Sequence, residues 1–240
     1  SVFWMWVSAF FAMIIKYAEV TTAMLYRKNG HGGAPYYMEK GIGSRRLALF
    51  FAGLILFSSF TVGNTVQSSA AAEALRVSFG VPKIMTGVVF AALTVILLGG
   101  GVKRVADFSA VVIPVLSIGY VILSLAIIIK NGAMLPSVMA RIIGGAFEFR
   151  AAGGGLAGFF ISRAVRLGAS RGVLSNEAGC GTAAFAHSSA SSKPAEQGVF
   201  GIFEVFVDTV LLCTLTAFVV LIAFPACIPE LDGMALAAEA

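Results

Sequence analysis

Residues 151–158 read Ala-Ala-Gly-Gly-Gly-Leu-Ala-Gly, which places three consecutive glycines inside an otherwise apolar part of the chain. Each glycine destabilises a helix interior by about 1 kcal/mol relative to alanine, so the triplet predicts a break in a helix. In a bilayer, the backbone groups that a break releases need partners in protein or in a water-filled cavity. The stretch therefore predicts a discontinuous helix whose backbone faces a ligand. The alternative is a close helix–helix contact, since Gly154 and Gly158 form a small-xxx-small pair.

The composition around this stretch is that of an all-α integral membrane protein. Of the 240 residues, 58% are hydrophobic and only 12% are charged, and the mean hydropathy is +0.92. A soluble domain has about 25% charged residues. The net charge of +5 does not indicate a nucleic-acid partner, because the basic residues lie between apolar segments, as the positive-inside rule requires. Three scattered cysteines argue against a disulfide framework.

Six spans in a single transmembrane domain are predicted from apolar runs of roughly 20 residues each. They cover approximately residues 2–26, 47–75, 84–101, 108–129, 136–167 and 198–223, and the fifth is broken at the glycines. Residues 168–196 are small and polar, and we expect them to form a connecting loop. Lysines and arginines concentrate on the side of this loop, which makes it cytoplasmic and places both ends of this chain outside.

The second span is unusually polar in its second half. Asn64 and Gln67 lie one helical turn apart among several serines and threonines. Lipid does not tolerate such a face, so it is expected to point into a bundle or a cavity. A role in lining the cavity is favoured over a simple interhelical hydrogen bond.

Charged side chains within the spans are further candidates. Lys16 and Glu19 are spaced i,i+3 and are expected to pair with each other. Asp208 lies deep in the last span, where it is predicted to pair with a base, cap a helix break or help to couple an ion, whereas Glu204 lies near the interface. His187 is expected to be an ordinary exposed or capping side chain. With no nucleophile–base set and no metal-ligand spacing, the sequence indicates neither an enzyme nor an organic cofactor.

Residues 171–182 read Arg-Gly-Val-Leu-Ser-Asn-Glu-Ala-Gly-Cys-Gly-Thr, and this stretch closely resembles the signature of the sodium:alanine (alanine or glycine:cation) symporter family. Supporting stretches follow in the family's order and cover essentially the whole chain. They are Phe-Trp-Met-Trp at 3–6, Lys-Tyr-Ala-Glu at 16–19, Gly-Asn-Thr-Val-Gln-Ser at 63–68, Ala-Glu-Gln-Gly at 195–198 and Val-Asp-Thr at 207–209.

The resemblance implies a bundle of five-plus-five inverted repeats, as in the leucine-transporter-like superfamily, of which this chain is the second to seventh helices. It also implies symport of alanine or glycine with Na⁺ across the plasma membrane, by alternating access about a midplane site. The principal sodium site is expected to need helices that this chain lacks, so its ligands stay unassigned. The expected substrate-binding residues are Asn64, Gln67, Ala152, Gly153, Gly154 and Gly155. The expected coupling or gating residues are Ser175, Asn176, Glu177, Asp208 and Thr209.

The expected partners are therefore a small neutral amino acid, Na⁺ and the lipid bilayer. Two alternatives remain open, namely a proton-coupled amino acid carrier and a channel-like or structural membrane bundle. The residues do not separate alanine from glycine, or L from D isomers.

Overall fold

A computed structural model describes residues 2–147, 156–225 and 236, and this part of the chain is built from helices joined by short turns. The α-helices are α1 (Val2–Leu25), α2 (Ala34–Lys40), α3 (Arg45–Ser58), α4 (Asn64–Phe79), α5 (Lys83–Leu98), α6 (Gly101–Lys130), α7 (Leu135–Ala146), α8 (Leu156–Asn176), α9 (Thr182–Ser188), α10 (Pro194–Val205) and α11 (Cys213–Ala223). A short 3₁₀ helix (Gly132–Met134) precedes α7, and two π-helical segments, Ser59–Gly63 and Phe206–Leu212, join α3 to α4 and α10 to α11.

Among the residues that the structure describes, four helical stretches are long and apolar enough to cross a membrane, by length and composition. They are Val2–Leu25, Arg45–Phe79, Lys103–Lys130 and Pro194–Ala223. This architecture confirms the predicted all-helical membrane class. The inverted repeat and the count of six spans stay predictions. The break at 151–155, which includes Ala152, Gly153, Gly154 and Gly155, lies outside the described residues.

The expected loop at 168–196 contains a good deal of helix. Helix α8 continues to Asn176, α9 occupies Thr182–Ser188, and α10 begins at Pro194. Proline suits the first position of a helix because its missing N–H would have no partner there. Glu196 Oε2 adds a cap by accepting a hydrogen bond from Lys193 N at 3.3 Å. Small residues in this segment therefore form short, closely packed helices as well as turns.

The chain divides into two compact units. One comprises Ser1–Ser58 and Met139–Thr214, and the other comprises Ser59–Val138 and Leu215–Ala240. In the first unit α1 packs against α8, α9 and α10. The buried residues of α1 recur at the three- and four-residue spacing of one helix face. They are Met5, Ala9, Ala12, Lys16, Glu19, Val20, Ala23 and Met24. In the second unit α5 packs against α4 and α6.

Gly198 lets α10 approach α1 closely. A Cβ atom at this position would collide with Thr21 Oγ1 and would lie 2.7 Å from the ring of Tyr17. Such contacts matter in membranes, where small residues allow helices to associate by close packing.

Gly198→Val is therefore expected to destabilise the protein by about 1–3 kcal/mol, the usual effect of overpacking a tight contact. The measurement is the midpoint of thermal unfolding in detergent. Gly119→Val is the matched control, because no described atom lies within 4 Å of a Cβ atom built at Gly119. Equal midpoints for the two variants would show that α1 and α10 are not in tight contact at this point.

Candidate functional site

Four of the predicted coupling residues come together in the first unit. Ser175 and Asn176 are the last two residues of α8, and Asp208 and Thr209 lie in the π-helical segment Phe206–Leu212. A π-helical segment accommodates an extra residue within a helix and is frequent at functional sites. The site is therefore formed where the C-terminal end of one helix meets an irregular turn of another.

Two hydroxyl groups contact one oxygen of the Asp208 carboxylate. Ser175 Oγ donates a hydrogen bond to Asp208 Oδ2, and Thr209 Oγ1 donates to the same oxygen at 3.1 Å. Asn176 Nδ2 in turn donates to Thr209 Oγ1 at 3.1 Å. Thr209 is fully buried and Asn176 is 4% exposed. Buried polar groups of this kind are stabilised only while their hydrogen bonds are satisfied, so the four side chains form one interdependent network.

The chain turns tightly after Asn176. Glu177 has a φ of 50° and Gly179 a φ of 82°, both in the left-handed region that commonly ends a helix. Asn176 Oδ1 accepts a hydrogen bond from Ala178 N at 3.0 Å, and Glu177 Oε2 accepts one from Thr182 Oγ1 at 2.6 Å. The glycine-rich signature therefore forms the turn between α8 and α9, and side-chain hydrogen bonds stabilise this turn.

Helix α1 contacts this turn with two charged side chains. Lys16 Nζ donates to the carbonyl oxygen of Asn176 at 2.8 Å and lies 3.3 Å from Glu204 Oε1. Glu19 Oε2 accepts a hydrogen bond from Gly179 N at 2.8 Å. The expected Lys16–Glu19 pair is therefore wrong. Because α1 packs against α8 and α10, groups on α8, on the turn that follows it and on α10 give each charge a closer partner than its neighbour on the same helix.

His187 extends the charged network. Its Nε2 lies 2.8 Å from Glu204 Oε2, and its Nδ1 lies 2.7 Å from Gln197 Nε2. An amide nitrogen is a donor only, so Nδ1 accepts and Nε2 carries the proton that Glu204 accepts. The His187 side chain is 15% exposed, so the expectation of an ordinary exposed or capping histidine is wrong. Its carboxylate partner is 17 positions along the chain, a spacing that carries no local signal.

A cavity of about 220 Å³ opens beside these groups, and its lining carries charges of both signs. The lining residues are Lys16, Ser175, Asn176, Glu177, Thr182, Ala183, Ala186 and Glu204.

Two titratable groups outside the spanning segments have raised pKa values, namely the Cys180 thiol and the Tyr37 hydroxyl. Partial burial, and then the Glu177 carboxylate, raise the pKa of the Cys180 thiol. Burial, and then the Glu19 carboxylate, raise the pKa of the Tyr37 hydroxyl.

Asn64 and Gln67 lie in the second unit, at the start of α4 and directly after the π-helical segment Ser59–Gly63. Both side chains are exposed, and Asn64 Nδ2 donates to the carbonyl oxygen of Ser59 at 2.8 Å. Ser68 Oγ donates to the carbonyl oxygen of Asn64 at 2.6 Å. The polar half of this span therefore satisfies part of its hydrogen bonding within its own helix, and the substrate role of Asn64 and Gln67 stays a prediction.

Comparison with known proteins supports the motif resemblance. A model of the sodium:alanine symporter family matches residues 1–240. The chain belongs to this family. Among its relatives, the amino-acid carrier protein AlsT of Bacillus subtilis is 40% identical over 92% of this chain and 48% of its own length. An uncharacterized transporter of Haemophilus influenzae is 38% identical over 97% of this chain and 53% of its own length. The sodium/alanine symporter AgcS of Methanococcus maripaludis is 36% identical over 99% of this chain and 54% of its own length.

The chain thus spans about half the length of the curated relatives that it matches. As a member of the sodium:alanine symporter family with several apolar helices, it is a multi-pass protein of the plasma membrane. The hydroxyl–carboxylate network therefore lies in a member of the sodium:alanine symporter family.

In this member of the sodium:alanine symporter family, the structure brings together several of the residues that the sequence predicted, and their coupling or gating role stays a prediction. The signature resemblance singled out Ser175, Asn176 and Asp208, which the structure brings together. It did not assign Lys16 or His187 to the site. For Lys16 a signal existed, because a charge inside an apolar span is by default a functional candidate.

Proposed function

We propose that the full-length protein is a secondary active transporter that carries a small neutral amino acid, alanine or glycine, together with Na⁺ across the plasma membrane. The observation that carries the proposal is the family match over residues 1–240. The printed names of relatives support it, since one is a sodium/alanine symporter and another an amino-acid carrier. No organic cofactor, nucleic acid or chemical conversion of the substrate enters the proposal.

Helix α8 suggests how substrate and coupling groups are divided. It begins at Leu156, directly after the glycines, and N–H groups at a helix N-terminus attract a carboxylate. We place the substrate carboxylate there, on the backbone of residues 152–155, and the substrate role of Asn64 and Gln67 stays a separate prediction from the sequence. This arrangement matches the way discontinuous helices present their N-terminal ends to anionic substrate groups.

The hydroxyl–carboxylate network lies at the other end of the same helix. Helix α8 is 21 residues long, so its two ends, at Leu156 and Asn176, lie about 30 Å apart at 1.5 Å per residue. One small amino acid cannot touch both ends. Ser175, Asn176, Glu177, Asp208 and Thr209 are therefore assigned to coupling and gating rather than to direct substrate contact. A helix that links the two regions moves them together when access alternates.

The test is uptake of radiolabelled alanine by cells that lack their own alanine transport and express the full-length protein. We expect uptake to fall to background when Na⁺ is replaced by choline, and unlabelled glycine to compete. Uptake that is unchanged in choline but abolished by a protonophore would contradict Na⁺ symport and favour a proton-coupled carrier. Uptake that never saturates and never accumulates would favour a channel-like bundle.

A further inference from the structure

We propose that Lys16 and Glu19 are positioning residues that act as a reversible clamp, which holds the turn after α8 against α1 in the closed state of the cytoplasmic side. Lys16 holds the carbonyl end of α8, and Glu19 holds the N–H group that follows it. The inference rests on the proposed transport function, because a clamp of this kind matters only in a protein whose cytoplasmic side opens and closes.

The Lys16 half of the clamp uses the polarity of the helix end. The last carbonyl groups of a helix have no partner within it, and their partial negative charge favours a cation. Lys16 Nζ donates to the carbonyl oxygen of Asn176 at 2.8 Å, and the lysine is 2% exposed. The lysine therefore replaces water at the end of α8 and fixes that end to α1.

The Glu19 half acts one turn further along α1. Glu19 is 8% exposed, and its Oε2 accepts from Gly179 N at 2.8 Å. A Cβ atom at Gly179 would lie 3.3 Å from Ile15 Cγ2, so the turn approaches α1 closely at this point. A cation and an anion on one face of α1 thus meet an acceptor and a donor on the turn. This order of charges fits only one register, so the clamp determines where the turn docks.

Glu204 makes the clamp reversible. A buried lysine that loses every partner is strongly destabilised, because its charge is left unpaired in a medium of low dielectric constant. Lys16 Nζ also lies 3.3 Å from Glu204 Oε1, and the Glu204 side chain is 48% exposed. When α8 moves away, Lys16 keeps this ion pair. His187, at 2.8 Å from Glu204 Oε2, holds the carboxylate in place for it.

Ala178 gives a direct readout of the clamp. It lies within the clamped turn, is 9% exposed and packs in a cluster with Ala9, Ala12 and Val205. Cysteine placed there is protected while the turn is docked and reacts when the turn leaves α1. Cys180, two residues on, is exposed in the docked turn and serves as the comparison position.

The experiment measures alkylation by N-ethylmaleimide in the full-length protein with Ala178→Cys as its single cysteine. Adding Lys16→Met is expected to raise the alkylation rate about tenfold or more, the factor that follows from loss of one hydrogen bond to a charged group. Lys193→Met is the matched control, since Lys193 forms an ion pair with Glu196 at 4.0 Å in which both side chains are largely exposed. We expect it to change the rate less than about twofold.

Two further measurements separate a clamp from a passive structural contact. Na⁺ plus alanine is expected to change the rate at position 178 in the parent protein and to leave it unchanged in Lys16→Met, while Lys16→Arg restores the response. With Cys180 as the single cysteine, Lys16→Met is expected to give no acceleration, because the Lys16 charge lowers the pKa of this thiol and its loss disfavours the reactive thiolate. A response to ligand that persists in Lys16→Met, or equal acceleration at both cysteines, would overturn the proposal.

Glu19→Gln keeps the test decisive if Lys16→Met does not fold. The amide oxygen still accepts from Gly179 N but without the negative charge, so a smaller acceleration at position 178 is expected, and an unchanged rate would overturn the clamp.

Failure of the proposed function gives a different result from failure of the clamp. Wild-type protein without Na⁺-dependent uptake would refute symport, whereas the alkylation rates would still report whether the turn is clamped.

Discussion

Asp208→Asn is expected to reduce Na⁺-dependent uptake of alanine about a hundredfold. The carboxylate accepts from two hydroxyl groups, Ser175 Oγ and Thr209 Oγ1. Hydrogen bonds to a charged acceptor are worth about 1.5–3 kcal/mol each, and asparagine retains the shape of the side chain but loses the charge. We expect the loss at the coupling step, to which the proposal assigns this network. The measurement is the initial rate of uptake, normalised to the amount of protein in the membrane.

Asp107→Asn is the matched control for this variant. Asp107 is exposed on α6 and lies in the other compact unit, so the same change in charge is expected to leave uptake within about twofold of wild type. The assignment of Asp208 to coupling is contradicted if the two variants transport at equal rates. It is also contradicted if Asp208→Asn loses uptake only in proportion to a loss of folded protein.

Thr209→Val is expected to destabilise the protein by about 2–3 kcal/mol and to reduce uptake at least tenfold. Valine has nearly the same shape as threonine, so the change removes one hydroxyl without opening a cavity. That hydroxyl is fully buried, accepts from Asn176 Nδ2 and donates to Asp208 Oδ2. Its loss leaves a buried amide donor unpaired, which costs about 1–3 kcal/mol, and also removes one donor from the carboxylate.

The control for Thr209→Val is Thr94→Val on α5. The Thr94 hydroxyl is exposed and donates only to the carbonyl oxygen of Phe90, one turn back in its own helix, at 2.7 Å. The same chemical change there is expected to shift the thermal midpoint and the uptake rate little. If Thr94→Val is as damaging as Thr209→Val, the effect belongs to valine in these helices and not to the network.

The sequence predicted the membrane class because long apolar runs have few other physical explanations. It did not predict the partners of the charges within those runs. Lys16 bonds to a carbonyl group 160 positions away, a contact that only the packing of α1 against α8 creates. Local spacing instead favoured Glu19, which lies three residues further along the same helix.

The local sequence did not predict the two π-helical segments either. An extra residue in a helical turn is decided by packing, and Phe206–Leu212 is as apolar as the helix around it apart from Asp208 and Thr209. The signature resemblance still singled out Ser175 and Asn176, because a family motif can mark residues whose contacts form only in the folded chain. The glycine break at 151–155 and the inverted repeat stay predictions from sequence.

The most direct test of Na⁺ symport measures the flux of the ion itself. Proteoliposomes that contain the full-length protein are given radioactive sodium outside at equal concentration and pH on both sides, with or without an inward gradient of alanine. We predict that alanine drives sodium entry above the level in liposomes with Asp208→Asn. Sodium entry that is the same with and without alanine, while alanine itself still enters, would contradict the account.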